Sequence, residues 1–305
     1  MQPFELSQLA ITPAETDADL EAWSHVFNLV TPEAHPAIEN LRFDLESKER
    51  LTSYLVARLD DEPVACGHIR PRGPFAEADI AVAPSAQRHG IGSALLAEIS
   101  GRARGLDKDI LQGEVRESDA ESRAFVERRG FVEVGAEKAL VLELKGIEAP
   151  EVEPPPGVRV VSRVEEPDRL QEMYAVSCQA DEDIPGSTGV QTFDGWRAHE
   201  IDRPDRRPEL CFLALAGNEV VGYAALQAHG EKAFHGLTAT RRDWRRRGVA
   251  QALKRAEIAA AKAAGFERLL TESEERNDPM RRLNEKLGFV PAPEWSMLVM
   301  RGPLA

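Results

Sequence analysis

Cysteine is scarce in this chain. Cys66, Cys178 and Cys211 are the only three in 305 residues, and they lie far apart. That excludes a disulfide framework and a cysteine-rich zinc site, and it fits a reducing cytoplasm. The seven histidines show no HExxH or similar ligand spacing, so no metal is expected. No apolar run approaches the roughly 20 residues of a membrane-spanning helix. The opening stretch, MQPFELSQLAITPAETD, lacks a basic segment and a long apolar core, so neither membrane association nor a secretory signal is expected. Excess positive charge is also missing. Lys and Arg total 38 against 52 Asp and Glu, a net charge of −14. A broad nucleic-acid binder is usually basic, so no nucleic-acid partner is expected. Tyrosine occurs only as Tyr54, Tyr174 and Tyr223, which limits the candidate acids.

What is present describes an ordinary soluble protein, 42% hydrophobic and 30% charged. Its length suits two domains of about 150 residues each. A repeat supports that division. Gln87 to Gly92 reads QRHGIG, and Arg245 to Ala250 reads RRRGVA. Each precedes an apolar-periodic helix and, later, a Gly-Phe pair. Gly130 follows Gly90 by 40 residues, and Gly288 follows Gly248 by 40. Motif, helix and closing pair stay in register, which points to two copies of one domain.

The loops themselves suggest an anion site. Gly90 and Gly248 let the backbone approach a ligand closely. The first N–H groups of the helix that follows have no intrahelical partner, and the helix dipole makes that end partly positive. Such an end binds phosphate or pyrophosphate. In the second copy Arg241, Arg242, Arg245, Arg246 and Arg247 add positive charge. Read without the glycines, that cluster would be a solvated basic face or a nucleic-acid patch.

Each copy reads β-α-α-β-β-β-α-β-α-β. The apolar pattern predicts helices over 17–30, 38–47 and 90–104 in the first copy, with strands at 9–12, 52–59, 64–70, 75–82 and 110–116. A helix over 119–129 and two short strands, 132–134 and 139–144, complete it. Residues 148–157, EAPEVEPPPG, form a stiff proline-rich linker. The predicted domains are therefore 1–147 and 158–305. In the second, strands fall at 210–216, 220–226, 233–239, 269–273 and 296–300, with helices over 248–264 and 278–287. Short consecutive strands suggest an antiparallel meander, and the strand–helix–strand step suggests one parallel crossover. The fold class is α/β, with a mixed, mostly antiparallel sheet and helices on both faces.

These features together resemble the GNAT superfamily of N-acetyltransferases, in a tandem arrangement. The residues that carry the likeness are QRHGIG with its Val82-Ala83-Pro84 lead-in, RRRGVA after Thr238-Ala239-Thr240, the Gly-Phe pairs, and TESEERNDPMRRLNEKLGF from Thr271. The resemblance implies acetyl-CoA as co-substrate. Its diphosphate would rest on the loops, and its pantetheine arm would lie where two parallel strands part. Those strands would be 75–82 with 110–116, and 233–240 with 269–273. Coenzyme contacts are implied for Val82, Gln87, Arg88, His89, Gly90, Ile91, Gly92 and Ser93 in the first copy. In the second they are implied for Thr238, Thr240, Arg245, Arg246, Arg247, Gly248, Val249, Ala250 and Asn277. The alternative for Asn277 is a helix cap before Asp278-Pro279.

Direct attack on a thioester needs a neutral amine, so a base is useful. The candidates are Glu77 and Asp79 in the first copy and His235 in the second, with Glu231 more remote. The alternative is that the acids face solvent on an alternating strand and that His235 is structural. Many family members have a tyrosine four residues before the Gly of the Gly-Phe pair, where it protonates the leaving thiolate. Val126 and Asn284 stand there. The early helices would line the acceptor pocket; in the second copy they offer Asp181, Asp183 and Trp196, beside Glu182, His199 and Glu200. Acids there suit a cationic amine, or form an exposed acidic loop. The expected function is N-acetyl transfer to a primary amine of a small molecule or peptide, by a monomer or homodimer, with the second copy favoured as active. The alternative is a non-catalytic coenzyme A-binding regulator.

Overall fold

The computed structural model describes residues 8–31, 36–48, 51–184 and 192–305. Its first elements are β1 (Leu9–Pro13), α1 (Asp17–Val30), α2 (Ile38–Glu46), β2 (Ser53–Leu59), β3 (Glu62–Arg72), β4 (Phe75–Val82), α3 (Ile91–Gly105), β5 (Ile110–Arg116), α4 (Ala120–Glu127) and β6 (Val132–Glu143). There follow β7 (Val158–Ser162), α5 (Leu170–Asp181), α6 (Phe193–Glu200), β8 (Cys211–Ala216), β9 (Glu219–His229) and β10 (Lys232–Thr240). The chain closes with α7 (Val249–Ala263), β11 (Arg268–Glu274), α8 (Asp278–Lys286), β12 (Val290–Pro291) and β13 (Met297–Pro303). This is the predicted mixed α/β order. Among the described residues no helix is long and apolar enough to cross a membrane.

Local chemistry explains the boundaries. Helix α1 starts at a reciprocal cap: Thr16 Oγ1 accepts from the Asp19 N–H at 3.2 Å, and the Asp19 carboxylate accepts from the Thr16 N–H. Such a cap contributes about 1 kcal/mol. Helix α3 buries Ile91, Leu95, Ile99 and Ala103, one stripe at four-residue spacing. It lies so close to β3 that a Cβ at Gly67 would stand 3.1 Å from Ile99 and 2.9 Å from the Asp79 carbonyl. Gly222 plays the same part in β9, where a Cβ would stand 3.1 Å from Val249 and 2.9 Å from the Ala239 carbonyl.

Two compact units result, Met1–Val134 with Leu298–Ala305, and Gly135–Met297. In the first, β1-β2-β3-β4 run antiparallel, β4 and β5 are parallel, and β13 lies next to β5. In the second the order is β6-β11-β10-β9-β8-β7, with β10 and β11 parallel. A cut along the chain at the proline-rich linker therefore does not describe the units. Residues 135–147 belong with the second, and residues 298–305 with the first. Where two short strands were expected after α4, β6 is one continuous strand, paired with β11 from Glu137 to Glu143. Each unit takes its last strand from the far end of the other half of the sequence. The apolar alternation of such a strand names a face but not a partner.

In the first unit Arg301 donates to Gln112 Oε1 at 2.6 Å, and the Ala305 N–H donates to Ser100 Oγ at 2.9 Å. Deleting residues 297–305 is expected to expose β5 as an unpaired edge, lower the melting temperature by several degrees, and speed proteolysis within residues 51–134. Unchanged melting and cleavage would contradict this assignment of β13.

Candidate functional site

The same loop is built twice. Gln87 Nε2 donates to the Val82 carbonyl at 3.1 Å, and Arg245 Nε donates to the Thr240 carbonyl at 3.0 Å. Each bond runs five residues back to the end of the preceding strand. The next residue is left-handed in both copies, Arg88 at φ 67° and Arg246 at φ 59°. The glycine two further on is left-handed too, Gly90 at φ 85° and Gly248 at φ 92°. A left-handed non-glycine residue costs on the order of 1 kcal/mol, so other contacts must hold the loop. Among the described residues the N–H groups of Gly90, Ile91 and Gly92, and of Gly248, Val249 and Ala250, find no acceptor. Unpaired N–H groups at a positive helix end are what a diphosphate needs.

Below each loop two parallel strands part. β4 pairs with β5 only at Ala76–Leu111 and Glu77–Gln112. β10 pairs with β11 only from Lys232–Arg268 to Phe234–Leu270, and β10 bulges between His235 and Thr238. The hydroxyls of Thr238, Thr240 and Ser273 are buried there without hydrogen-bond partners among the described residues. A buried polar atom without a partner costs about 1–3 kcal/mol. An amide-bearing arm laid in the gap would supply partners, so the residues present fit a pantetheine chain.

The other predicted groups fall differently. Arg242 pairs with Glu182 at 2.7 Å and with Asp183, and Arg245 pairs with Asp183 at 2.7 Å. Asp183 is therefore held by two guanidinium groups and does not face an acceptor, because the end of α5 sets it against the loop. Hydrogen bonds from Arg242 and then Arg245 lower its pKa. Asp181 is the last residue of α5. Trp196 is a core residue; its Nε1 donates to Tyr223 Oη at 3.2 Å. Among the described residues Arg246 makes no side-chain hydrogen bond or ion pair, and Arg247 lies over the Trp244 ring at 4.9 Å. Asn277 is the N-cap residue of α8, its carbonyl accepting from the Arg281 N–H at 3.2 Å, though its side chain makes no capping hydrogen bond. Asn284, at the place of the missing tyrosine, is fully buried. His235 is enclosed between β10 and α7, its Nδ1 2.7 Å from Glu257 and its ring 5.5 Å from Phe289. Burial lowers the His235 pKa, with the nearby Lys254 adding to the effect, and burial pushes Lys254 itself down to about 8. No group of three or more His, Cys, Asp or Glu among the described residues could hold a metal ion.

The model described as the Acetyltransferase (GNAT) family matches residues 18–131 and 171–289, one stretch in each half. The chain belongs to this family. As a GNAT protein it is an acyltransferase by class. Its fold is that of a tandem GNAT protein from the clavulanic acid biosynthesis pathway, 22% identical with a TM-score of 0.77, over 97% of this chain and 99% of that one. A GCN5-related N-acetyltransferase from Sphaerobacter thermophilus is 19% identical at a TM-score of 0.75, over 97% and 96%. The N-myristoyltransferase of Saccharomyces cerevisiae, with bound myristoyl-CoA, is 11% identical at 0.71, over 99% and 80%. At these identities the likeness is one of fold. Among curated proteins nothing matches.

In the first GNAT unit the two candidate acids have different surroundings. Glu77 is gripped by Arg70 and Arg72. Burial alone would raise its pKa, but the two guanidinium groups overcome this and pull the carboxyl down to about 2. Glu77 is thus an ion-pair partner, neither solvent-facing nor available as a base. Asp79 is half-exposed and lines a cavity of about 50 Å³ with Glu77, Gln112, Gly113 and Glu114. Its Oδ2 lies 3.5 Å from His68 Nδ1. Sequence reasoning did not select His68, since a lone histidine in a strand carries no motif; cross-strand register was the signal needed.

A depressed carboxyl contributes stability above its unfolded value of 4.5 and loses it as pH falls through about 2. Glu77→Gln leaves Arg70 largely buried without its counter-charge, and is expected to cost roughly 3 kcal/mol at neutral pH. The difference from wild type should shrink as pH falls from 4.5, where the unfolded-state carboxyl protonates, toward about 2, where the native one does. Urea melts across that range check it, and equal stability at neutral pH would contradict the ion-pair assignment.

Proposed function

We propose that the protein transfers an acetyl group from acetyl-CoA to a primary amine of a small molecule or peptide, by direct attack, in the cytoplasm. One observation carries this reading: a left-handed loop with outward N–H groups stands over parted parallel strands, in both copies. The loop N–H groups from Gly90 to Gly92, and from Gly248 to Ala250, would hold the diphosphate. Arg246 and Arg247 would add positive charge in the second copy. Bound in this way, acetyl-CoA supplies the activated acyl group. Backbone N–H groups near Val82 and near Thr240 would stabilise the charge that develops on the carbonyl oxygen.

A second reading follows from Val126 and Asn284, which leave both copies without the usual tyrosine acid. It is a coenzyme A-binding regulator without turnover. Calorimetry with acetyl-CoA and thiol release across a panel of amines separate the two. The transferase reading predicts turnover with at least one amine. Binding without turnover on any amine would give the regulator reading. Gly90→Glu and Gly248→Glu put a carboxylate and a Cβ into the anion site at a left-handed position, and each is expected to abolish binding at its own loop. Unchanged binding in both variants would contradict either reading.

A further inference from the structure

The two units share a loop and a gap but differ in the row of side chains that crosses the sheet beside the gap. The rows can be aligned from the carbonyls that close the loops, Val82 and Thr240. Val82 stands opposite Ala65 of β3, and Thr240 opposite Gly222 of β9. Three residues away from these, Asp79 is opposite His68, and His68 is opposite Tyr54 of β2. The corresponding row in the second unit is Ala225 opposite Cys211, next to Leu237 in the β10 bulge. One row is acid, imidazole and phenol. The other is apolar and lies in a core with Trp196 and Tyr223.

The polar row continues inward. The Tyr54 and His68 rings are 6.0 Å apart between centroids, and Tyr54 Oη donates to Asp44 Oδ2 at 3.0 Å. Asp44 of α2 and Tyr54 of β2 are buried, whereas Asp79 opens on the cavity between β4 and β5. A line of titratable groups thus runs from the gap into the covered interior. Glu77, in the same cavity, is neutralised by Arg70 and Arg72, which leaves Asp79 as the carboxylate that faces both the cavity and His68. The arginines that favour the second copy in sequence do not outweigh this, because Arg242 and Arg245 are held by Glu182 and Asp183.

We infer that transfer takes place in the first unit, that its acceptor is a cationic amine seated against Asp79, and that His68 receives the amine's proton. This rests on the transferase reading above. The ammonium gives one proton to His68 while Asp79 holds the cation. The nitrogen pair then forms the C–N bond at the thioester carbonyl, and the C–S pair leaves on sulfur. A second nitrogen proton ends on that sulfur, so the products are the amide and the free thiol. The groups that face His68 are Asp79 and Glu77 from β4 and Tyr54 from β2, with Asp44 of α2 behind Tyr54 and Arg70 beside Glu77.

The test measures thiol release from acetyl-CoA with hexylamine, phenethylamine, spermidine and lysine as acceptors. With the fastest of these, Gly90→Glu should lose the rate. His68→Gln should lower kcat/KM about 100-fold at neutral pH, the lower range for a proton-transfer group. The loss should shrink as pH approaches 10, where the amine deprotonates without help. A merely structural role would give no such recovery. Asp79→Asn should raise KM for the amine at least about 10-fold, as expected for a lost charged contact. In the coenzyme-free protein, that same amine should shift the His68 ring resonances of wild type but not of Asp79→Asn, and the alcohol of the same skeleton should shift neither. Turnover that survives Gly90→Glu would overturn the inference while leaving the transferase reading intact. So would a His68→Gln enzyme as fast as wild type at neutral pH, or equal shifts in the Asp79→Asn protein. A wild-type protein that acylates none of the amines would remove the transferase reading itself.

Discussion

A single backbone constraint organises both units. The chain must leave the last strand before the gap, turn through two left-handed residues and enter a helix with its first N–H groups facing outward. Glycine makes the second of those positions cheap, at Gly90 and Gly248. The first is not glycine, so Arg88 and Arg246 carry strain. What holds the turn is a side chain reaching back to the strand carbonyl, Gln87 to Val82 and Arg245 to Thr240. Glutamine and arginine both offer an N–H at the needed reach, which is why the two loops agree in shape while differing in charge.

The gap depends on the same turn. Had the parallel strands stayed paired to their ends, the turn would overlie a closed sheet. Instead pairing stops after Glu77 and after Phe234. In the second unit the β10 bulge uncouples the register at that point and leaves buried hydroxyls without partners. Backbone polar groups in a gap of this kind need either water or an extended guest, and a chain carrying two amides suits it.

Much of this was legible in the sequence. The helix entrances follow from glycine and apolar period, and the strands from short alternating runs. The parted strands came from family resemblance, since nothing in 75–82 or 232–240 alone announces where pairing ends. What could not be read depended on which elements meet. β6 and β13 look like the closing strands of their own halves, but alternation does not name a partner, and each completes the other unit. Asp183 looked like an open acid until α5 set it beside Arg242 and Arg245. Trp196 looked like a pocket wall, and its burial against Tyr223 reflects the area an aromatic ring removes from water. The row from Asp79 through His68 to Tyr54 joins three strands, and no linear spacing contains it.

The first unit carries charge and titratable groups on the row where the second carries an apolar core, although the two share a loop. A duplicated fold can keep its ligand grip in both copies while only one retains the side chains for chemistry, because grip comes from backbone geometry and chemistry from side chains. The most direct measurement is a crystal structure grown with acetyl-CoA. The account predicts the diphosphate on the N–H groups of Gly90 to Gly92 and the pantetheine arm between β4 and β5, with the thioester beside Asp79. A diphosphate bound away from both loops, or an arm outside the parted strands, would contradict it.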